Sequence, residues 1–300
     1  MNLHLLRMFV AVVEHNSFSR AATTLFVSQS AVSKGVRELE NQLDLVLIER
    51  NVRVSNGLRT IMLTESGQAL YQHGRSIFAL ERMATEEVRD RVQLRKGRLQ
   101  VGASTTVAGY WLPAYISHFM QRFPDIQTSL WVGNTEQVVA AIVDCRIDIA
   151  FVEGAVSDQR LTTTVWRQEP LRLVTAANSP LARTRRPAVA QLAEQTWLIR
   201  EQGSGTRQVA QRLLDGWGIA KPRIVEIGSN EAIARIVACG DAIALLPEAI
   251  VGDLLIANRL TLIDVAETAS LLRPLHRIEL CNRPLAAPAR AFVAVSDSVL

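Results

Sequence analysis

Gln29, Ser30, Ser33, Lys34 and Arg37 are short hydrogen-bonding side chains and cations placed three or four positions apart. On a helix that spacing collects them on one face. Such a face offers what base edges in a major groove and their flanking phosphates require. A second set lies farther along, where strands are predicted to end and helices to begin: Ser104-Thr105-Thr106, Asn134-Thr135, Gly203-Ser204-Gly205-Thr206-Arg207 and Ser229-Asn230-Glu231. Hydroxyls, amides and free backbone N–H groups at helix starts favour a small anion, with Arg200 or Arg207 as its counter-charge. Glu153 and Glu231 would repel an anion unless those arginines pair with them.

The first set needs helices to hold it. Ser17 or Ser19 can cap a helix running through Arg20, Ala21, Ala22 and Leu25, with Phe26-Val27 as an apolar turn. Ser28 then caps a helix whose apolar stripe is Ala31-Val32, Val36, Leu39 and Leu43. Leu3, Leu6, Phe9-Val10 and Val13 form the stripe of an earlier helix ending near His15, so three helices enclose a small core. From this pattern alone, a solvated amphipathic helix pair fits as well as a DNA reader.

Farther on, Asn56-Gly57 signals a type I′ hairpin between the β-prone residues Val52, Val54 and Ile61. Arg53 and Arg59 would ride that ribbon toward a DNA backbone or minor groove; a solvated hairpin is the alternative. No proline interrupts the chain from Glu65 to Lys96, and Leu70, Ile77, Leu80, Ala84, Val88 and Val92 recur at near-helical spacing. A long helix of this kind cannot bury its stripe alone. Either a second copy or the chain's own following domain would cover it.

From residue 97 strands and helices alternate: RLQVGAS (98–104), a helix from Gly109 to Phe123, IQTSLWVGN (126–134), a helix at 135–145 and IDIAFVEG (147–154). LRLVTAANSPLA (171–182) opens a second lobe, followed by TWLIRE (196–201), a helix from Gly205 to Trp217, IVEIG (224–228), a helix at 230–239 and AIALLP (242–247). RPLHRIEL (273–280) returns to the first lobe. This rhythm predicts parallel sheets in two lobes, with chain crossings near 167–170 and 268–272. Ligands of such folds sit beyond the carboxyl ends of the strands. Any one Ser, Thr or Asn there reads as a plain N-cap before it reads as a ligand contact. Ser204 is the exception, because its two flanking glycines expose backbone.

Composition narrows the class. A chain of 300 residues with 48% hydrophobic content exceeds one core and predicts two or three domains. The net charge is +4; residues 1–97 hold 13 Lys and Arg against 10 Asp and Glu, the remainder 20 against 19, so the surplus sits with the expected DNA contacts. No apolar run approaches the roughly 20 residues of a membrane span. Met1-Asn2-Leu3-His4 lacks the features of a signal peptide, so none is expected. Cys145, Cys239 and Cys281 are odd in number and widely separated, which fits a reducing cytoplasm and structural thiols. The five histidines show no metal-ligand spacing, and no cofactor is expected. Gly203-Ser204-Gly205 lacks the G-x-S-x-G spacing of a nucleophile elbow, which argues against an enzyme. A periplasmic-type solute-binding protein would account for residues 98–300 but not for residues 1–60.

Ala21 through Leu43 spell A-A-x-x-L-x-x-S-Q-S-A-V-S-x-x-V-x-x-L-E-x-x-L, and the chain resembles the LysR-type transcriptional regulators over its full length. The resemblance implies a winged helix-turn-helix over 1–63 and a linker and dimerisation helix over 64–96. It further implies a two-lobed, periplasmic-binding-protein-like α/β effector domain over 97–300, with lobe I at 97–167 and 271–300 and lobe II at 168–270. Double-stranded DNA, a small effector, a dimer or tetramer of the chain and RNA polymerase are the implied partners. DNA contacts would fall to Ser28, Gln29, Ser30, Ser33, Lys34 and Arg37, with Arg53 and Arg59 from the wing. Effector contacts would fall to Ser104, Thr105, Thr106, Asn134, Thr135, Glu153, Arg200, Ser204, Thr206, Arg207 and Asn230. Asp44 stands where the family has glycine, Ile48 where it has a core phenylalanine, and twelve residues separate Arg50 from the L-T-E-x-G motif at Leu63, a longer wing than usual. VGASTTVAGYWLP, REQGSGTR and IGSNEAI look like the branch that regulates sulfur metabolism, including sulfite-responsive members. Regulators of carbon-fixation genes, which answer to phosphorylated metabolites, share some of these motifs.

Overall fold

The computed structural model describes residues 2–49, 61–90, 97–265 and 271–298. It divides into two compact units, Met1–Val88 and Arg89–Leu300, each with its own cores. In the first unit α1 (Leu3–His15), α2 (Phe18–Leu25) and α3 (Gln29–Leu43) start on side-chain caps. Asn2 accepts from the His4 N–H at 2.8 Å, Ser17 from Arg20 at 3.3 Å and Ser28 from Ala31 at 3.2 Å. Ser17, not Ser19, is thus the cap of α2. Leu6, Phe9 and Val12 of α1 meet Ala21, Ala22, Val32, Val36 and Leu39 in one buried cluster. A two-stranded ribbon, β1 (Ile48–Glu49) with β2 (Met62–Leu63), follows α3.

Asp44 takes the left-handed conformation, φ 54°, so the helix exit that glycine would supply is reached with a side chain that tolerates it. Ile48 is buried in the same core. The long helix α4 spans Glu65–Asp90. Leu70, Tyr71, Ile77 and Phe78 pack on the core of this unit, whereas Leu80 and Ala84 are exposed. The stripe therefore splits into a covered part and an uncovered part.

The second unit contains β3 (Gly97–Ser104), a π-helical turn at Val107–Trp111, α5 (Pro113–Arg122), β4 (Ile126–Gly133), α6 (Thr135–Val143) and β5 (Ile149–Glu153). Next come β6 (Leu161–Ala176), α7 (Val189–Ala193), β7 (Thr196–Ile199), α8 (Gly205–Gly216), β8 (Arg223–Glu226) and α9 (Asn230–Val237). The rest is β9 (Ile243–Pro247), α10 (Glu248–Ile256), β10 (Leu260–Leu262), β11 (Leu272–Leu280) and α11 (Ala287–Asp297). The sheet runs β4-β3-β5-β11-β6-β9-β7-β8, with β10 paired to β6.

Among the described strands of this sheet, the β3/β4, β3/β5, β7/β8 and β7/β9 pairs are parallel, whereas β6 and β11 are antiparallel to their neighbours. The expected all-parallel sheets are therefore mixed. β6 carries the chain from one lobe to the other and β11 carries it back, so the pair must run in opposite senses. The first crossing is one unbroken strand, paired with β11 through Pro170 and with β9 from Leu171. Of the second crossing, 266–270 lies outside the described residues. The helix expected from Gly109 also divides: Leu112 N–H bonds Val107 O at 3.0 Å, a π-type turn, and Pro113 restarts an α-helix at its first position. Cys145 is buried, but Cys239 lies just past the end of α9 and is exposed.

Candidate functional site

Two polar arrangements stand out, one in each unit. On α3 the stripe Val32, Val36 and Leu39 is buried, which turns Gln29, Ser30, Lys34 and Arg37 outward; Ser28 is exposed and Ser33 half-buried. Ser28 Oγ lies 2.9 Å from Ser30 Oγ while it caps the helix. Arg53, Arg59 and the Asn56-Gly57 turn lie outside the described residues. Glu40, a motif residue to which the sequence reading gave no role, is the further functional group here. It sits four residues after Val36, on the buried side, and its Oε1 accepts the N–H groups of Leu47 at 2.9 Å and Ile48 at 3.3 Å. That carboxylate ties α3 to β1. Its spacing from Val36 was the available signal.

In the second unit the carboxyl ends of β3, β4, β5 and β7 and the starts of α6, α8 and α9 converge. Ser104 donates to the Glu153 carboxylate, Thr106 Oγ1 lies 3.5 Å from Glu153 Oε1, and Thr135 Oγ1 donates to the Glu153 carbonyl at 2.7 Å. Asn134 caps α6 and sends its Nδ2 across the cleft to Glu201 Oε1 and Gln202 O, each at 3.3 Å. Asn230 Nδ2 donates to Thr106 Oγ1 at 3.0 Å and to Thr206 Oγ1 at 3.2 Å. The lobes are thus closed on one another. Gly205 makes that closure sterically feasible, since a Cβ there would stand 2.3 Å from Glu153 O, and Gly203 takes φ +81° in the loop before it.

The arginines do not stand as open counter-charges. Arg200 grips Glu201 with Nε at 2.7 Å and Nη2 at 2.8 Å, and its Nη1 donates to Thr105 at 3.2 Å. Arg207 donates to Arg200 O at 2.8 Å and to Glu226 at 2.5 Å. Burial is the largest single influence and pushes the Glu201 carboxyl up, but the hydrogen bonds and charge of Arg200, the Glu201 backbone N–H and Asn134 together outweigh it and hold the group below the usual carboxylate range. Neither arginine is paired with Glu153 or Glu231, so the condition under which those carboxylates would not repel an anion is not met by Arg200 or Arg207; Glu231 accepts from Ser229 Oγ at 3.0 Å.

The cation facing Glu153 is Arg273 of β11, with Nη1 3.8 Å from Glu153 Oε1 and 2.8 Å from Thr206 Oγ1. Glu169 of β6 pairs with its Nε and Nη2, and Trp111 Nε1 donates to the other Glu169 oxygen at 2.7 Å. All three charged groups are buried. Arg273 and Glu169 were not among the expected site residues, because each reads as a strand residue on a crossing whose partner is about a hundred positions away. Ser204 Oγ and Asn230 Oδ1 are buried and have no hydrogen-bond partner among the described residues. Ser204 begins α8 without capping it. Each of the two is an unmet polar atom at a helix start, which marks the two residues as candidate ligand contacts.

Residues 3–68 match the profile of the bacterial regulatory helix-turn-helix proteins of the lysR family, and residues 93–299 match the LysR substrate binding domain. The chain is 32% identical over 295 residues to the uncharacterized HTH-type transcriptional regulator YeiE of Escherichia coli K12, covering 98% of this chain and 97% of that one. It is 32% identical over 293 residues to CbbR of Rhodospirillum rubrum, covering 98% and 95%. CysL of Bacillus subtilis is 27% identical over 260 residues, covering 87% and 85%. Among solved structures, a full-length OxyR variant from Pseudomonas aeruginosa superposes with a TM-score of 0.73 at 21% identity, covering 99% of this chain and 94% of that one. The Synechocystis CcmR regulatory domain in complex with 2-PG does so with a TM-score of 0.61 at 27% identity, covering 67% and 96%. These relatives are regulators rather than enzymes, and no helix among the described residues is long and apolar enough to cross a membrane. With a DNA-binding unit and an effector unit both matched, the chain belongs to the LysR family of bacterial transcriptional regulators, which are modulated by a small-molecule effector.

Proposed function

We propose that this regulator reads duplex DNA with the exposed face of α3 and answers to a small oxyanion, of the size and charge of sulfite, held between the lobes of its effector unit. The observation that carries the effector reading is the pair of buried, unpartnered atoms, Ser204 Oγ and Asn230 Oδ1. One is a donor and the other an acceptor. A singly protonated oxyanion meets both: an oxygen accepts from Ser204 and the α8 amides, and its hydroxyl donates to Asn230 or to the Glu153 carboxylate. Thr105, Thr106 and Thr135 line the same cleft, and Arg200 supplies formal charge once the anion competes with Glu201. Asn134 and Arg207 shape the rim, and Thr206 lies inside, bonded to Asn230 and Arg273.

A phosphorylated metabolite is the second reading, favoured by the 2-PG found in the CcmR domain. A bulkier dianion would have to open a cleft in which Arg200, Arg207 and Arg273 already face carboxylates. Calorimetry with sulfite, sulfate, thiosulfate, phosphate and 2-PG separates the two. Heat from sulfite that disappears in Ser204→Ala supports the oxyanion reading; heat from 2-PG alone replaces it.

For DNA, Gln29→Ala should cost on the order of 1–3 kcal/mol of discrimination at one base pair. Lys34→Ala should weaken all sequences alike and lower the salt slope by about 0.9. An unchanged site preference in Gln29→Ala gel shifts would remove the readout role. The uncovered part of α4, at Leu80 and Ala84, would pair with a second copy to set half-site separation, with RNA polymerase as the downstream partner.

A further inference from the structure

All three helices of the DNA-binding unit that precede the ribbon end on a left-handed residue: Asn16 at φ 48°, Phe26 at φ 56° and Asp44 at φ 54°. Asn and Asp tolerate that conformation because their short polar side chains bond locally, whereas a bulky aromatic residue is strained in it. Asn16 is also put to use, its Oδ1 accepting the Ile61 N–H at 2.7 Å. Phe26 has no such compensation. The residue is 95% exposed, so it gains almost none of the burial that normally stabilises an aromatic ring. Gly or Asn would serve the fold better at this position. A strained, solvent-facing ring points to a partner outside the folded unit.

Its place in the chain identifies the partner. Phe26 stands two residues ahead of Ser28, the cap of α3, and residues 26–30 are exposed without interruption. This leading edge reads Phe-Val-Ser-Gln-Ser, an apolar pair followed by the polar side chains assigned to base edges. The one apolar feature on a major-groove edge is the C5-methyl group of thymine.

We infer that Phe26 is a specificity contact whose ring packs on the methyl group of a thymine beside the base pair met by Gln29. The inference rests on the reading that α3 enters the major groove of duplex DNA. The test begins with selection of a preferred site from a random duplex pool by the full-length protein. Each thymine of that site is then replaced in turn by uracil, which removes only the methyl group. One replacement should weaken wild-type binding roughly four-fold, the loss expected for one buried carbon. Phe26→Asn, which suits the left-handed turn and should fold at least as stably, should bind the thymine site about as weakly and be indifferent to that uracil. Wild-type affinity in Phe26→Asn would overturn the inference. So would an equal loss on every duplex, which would mark a sugar or backbone contact. Failure to enrich any site would instead overturn the DNA-reading assignment and this inference with it.

Discussion

On α3 the polar side chains assigned to DNA face solvent, Ser33 being half-buried, while in the cleft Ser104, Thr106, Glu153, Arg200, Ser204, Thr206, Asn230 and Arg273 are all nearly inaccessible. The difference follows from the partner each face suits. A duplex brings a continuous array of phosphates and base edges, so donors can wait hydrated until it arrives. A small ligand cannot desolvate a site by its size, so the lobes do that by closing, and every guanidinium named there is set against a carboxylate meanwhile. A DNA face displays its chemistry; this cleft stores it in exchangeable pairs.

Breaking the most deeply stored pair should have the largest effect. Glu169→Gln leaves Arg273 buried without its main partner and should destabilise the effector unit by about 3–5 kcal/mol. All five tryptophans lie in that unit, so their fluorescence during urea unfolding reports it alone. The paired variant Glu169→Gln with Arg273→Met should recover much of the loss, and equal instability of single and double variants would deny the pairing its role. Gly205→Ala comes next, because its Cβ meets Glu153 O at 2.3 Å. Overpacking of this kind costs about 1–3 kcal/mol, and the added methyl should also hold the lobes apart and abolish effector binding in calorimetry. Undiminished binding would show that the cleft does not need this close approach.

The DNA-binding unit offers the matching test. Glu40→Ala strands the buried N–H groups of Leu47 and Ile48 and should cost about 1–3 kcal/mol, read as hydrogen exchange at those two amides. Unaltered exchange would mean that the carboxylate adds nothing to the ribbon. The smallest effect concerns pH. The folded-state carboxyl of Glu201 lies below its ordinary value, so its contribution is present above the ordinary carboxylate range and is lost as pH falls through the folded value. Glu201→Gln should therefore lower stability slightly at neutral pH and flatten the acid side of the stability profile. An unchanged acid limb would assign that loss elsewhere.

The helix α3, its cap at Ser28, its apolar stripe and most effector strands were legible in the sequence, because helix and strand periods and caps depend on residues within a few positions of one another. β10 and the first ten residues of β6 were not foreseen, and the strand expected over 171–182 ends at Ala176. The cleft residues Ser104, Thr106, Asn134 and Asn230 were legible as helix and strand ends for the same reason. Their partners were not. Nothing local ties Arg273 to Glu169, or Arg200 to its neighbour Glu201 rather than to Glu153. Those pairings depend on β6 and β11 crossing side by side and on α8 pressing its first glycine against Glu153. Local chemistry determined what the side chains could do; the long-range closure of the chain decided which charges they would meet, because burial forces each one to find a partner within a few ångströms.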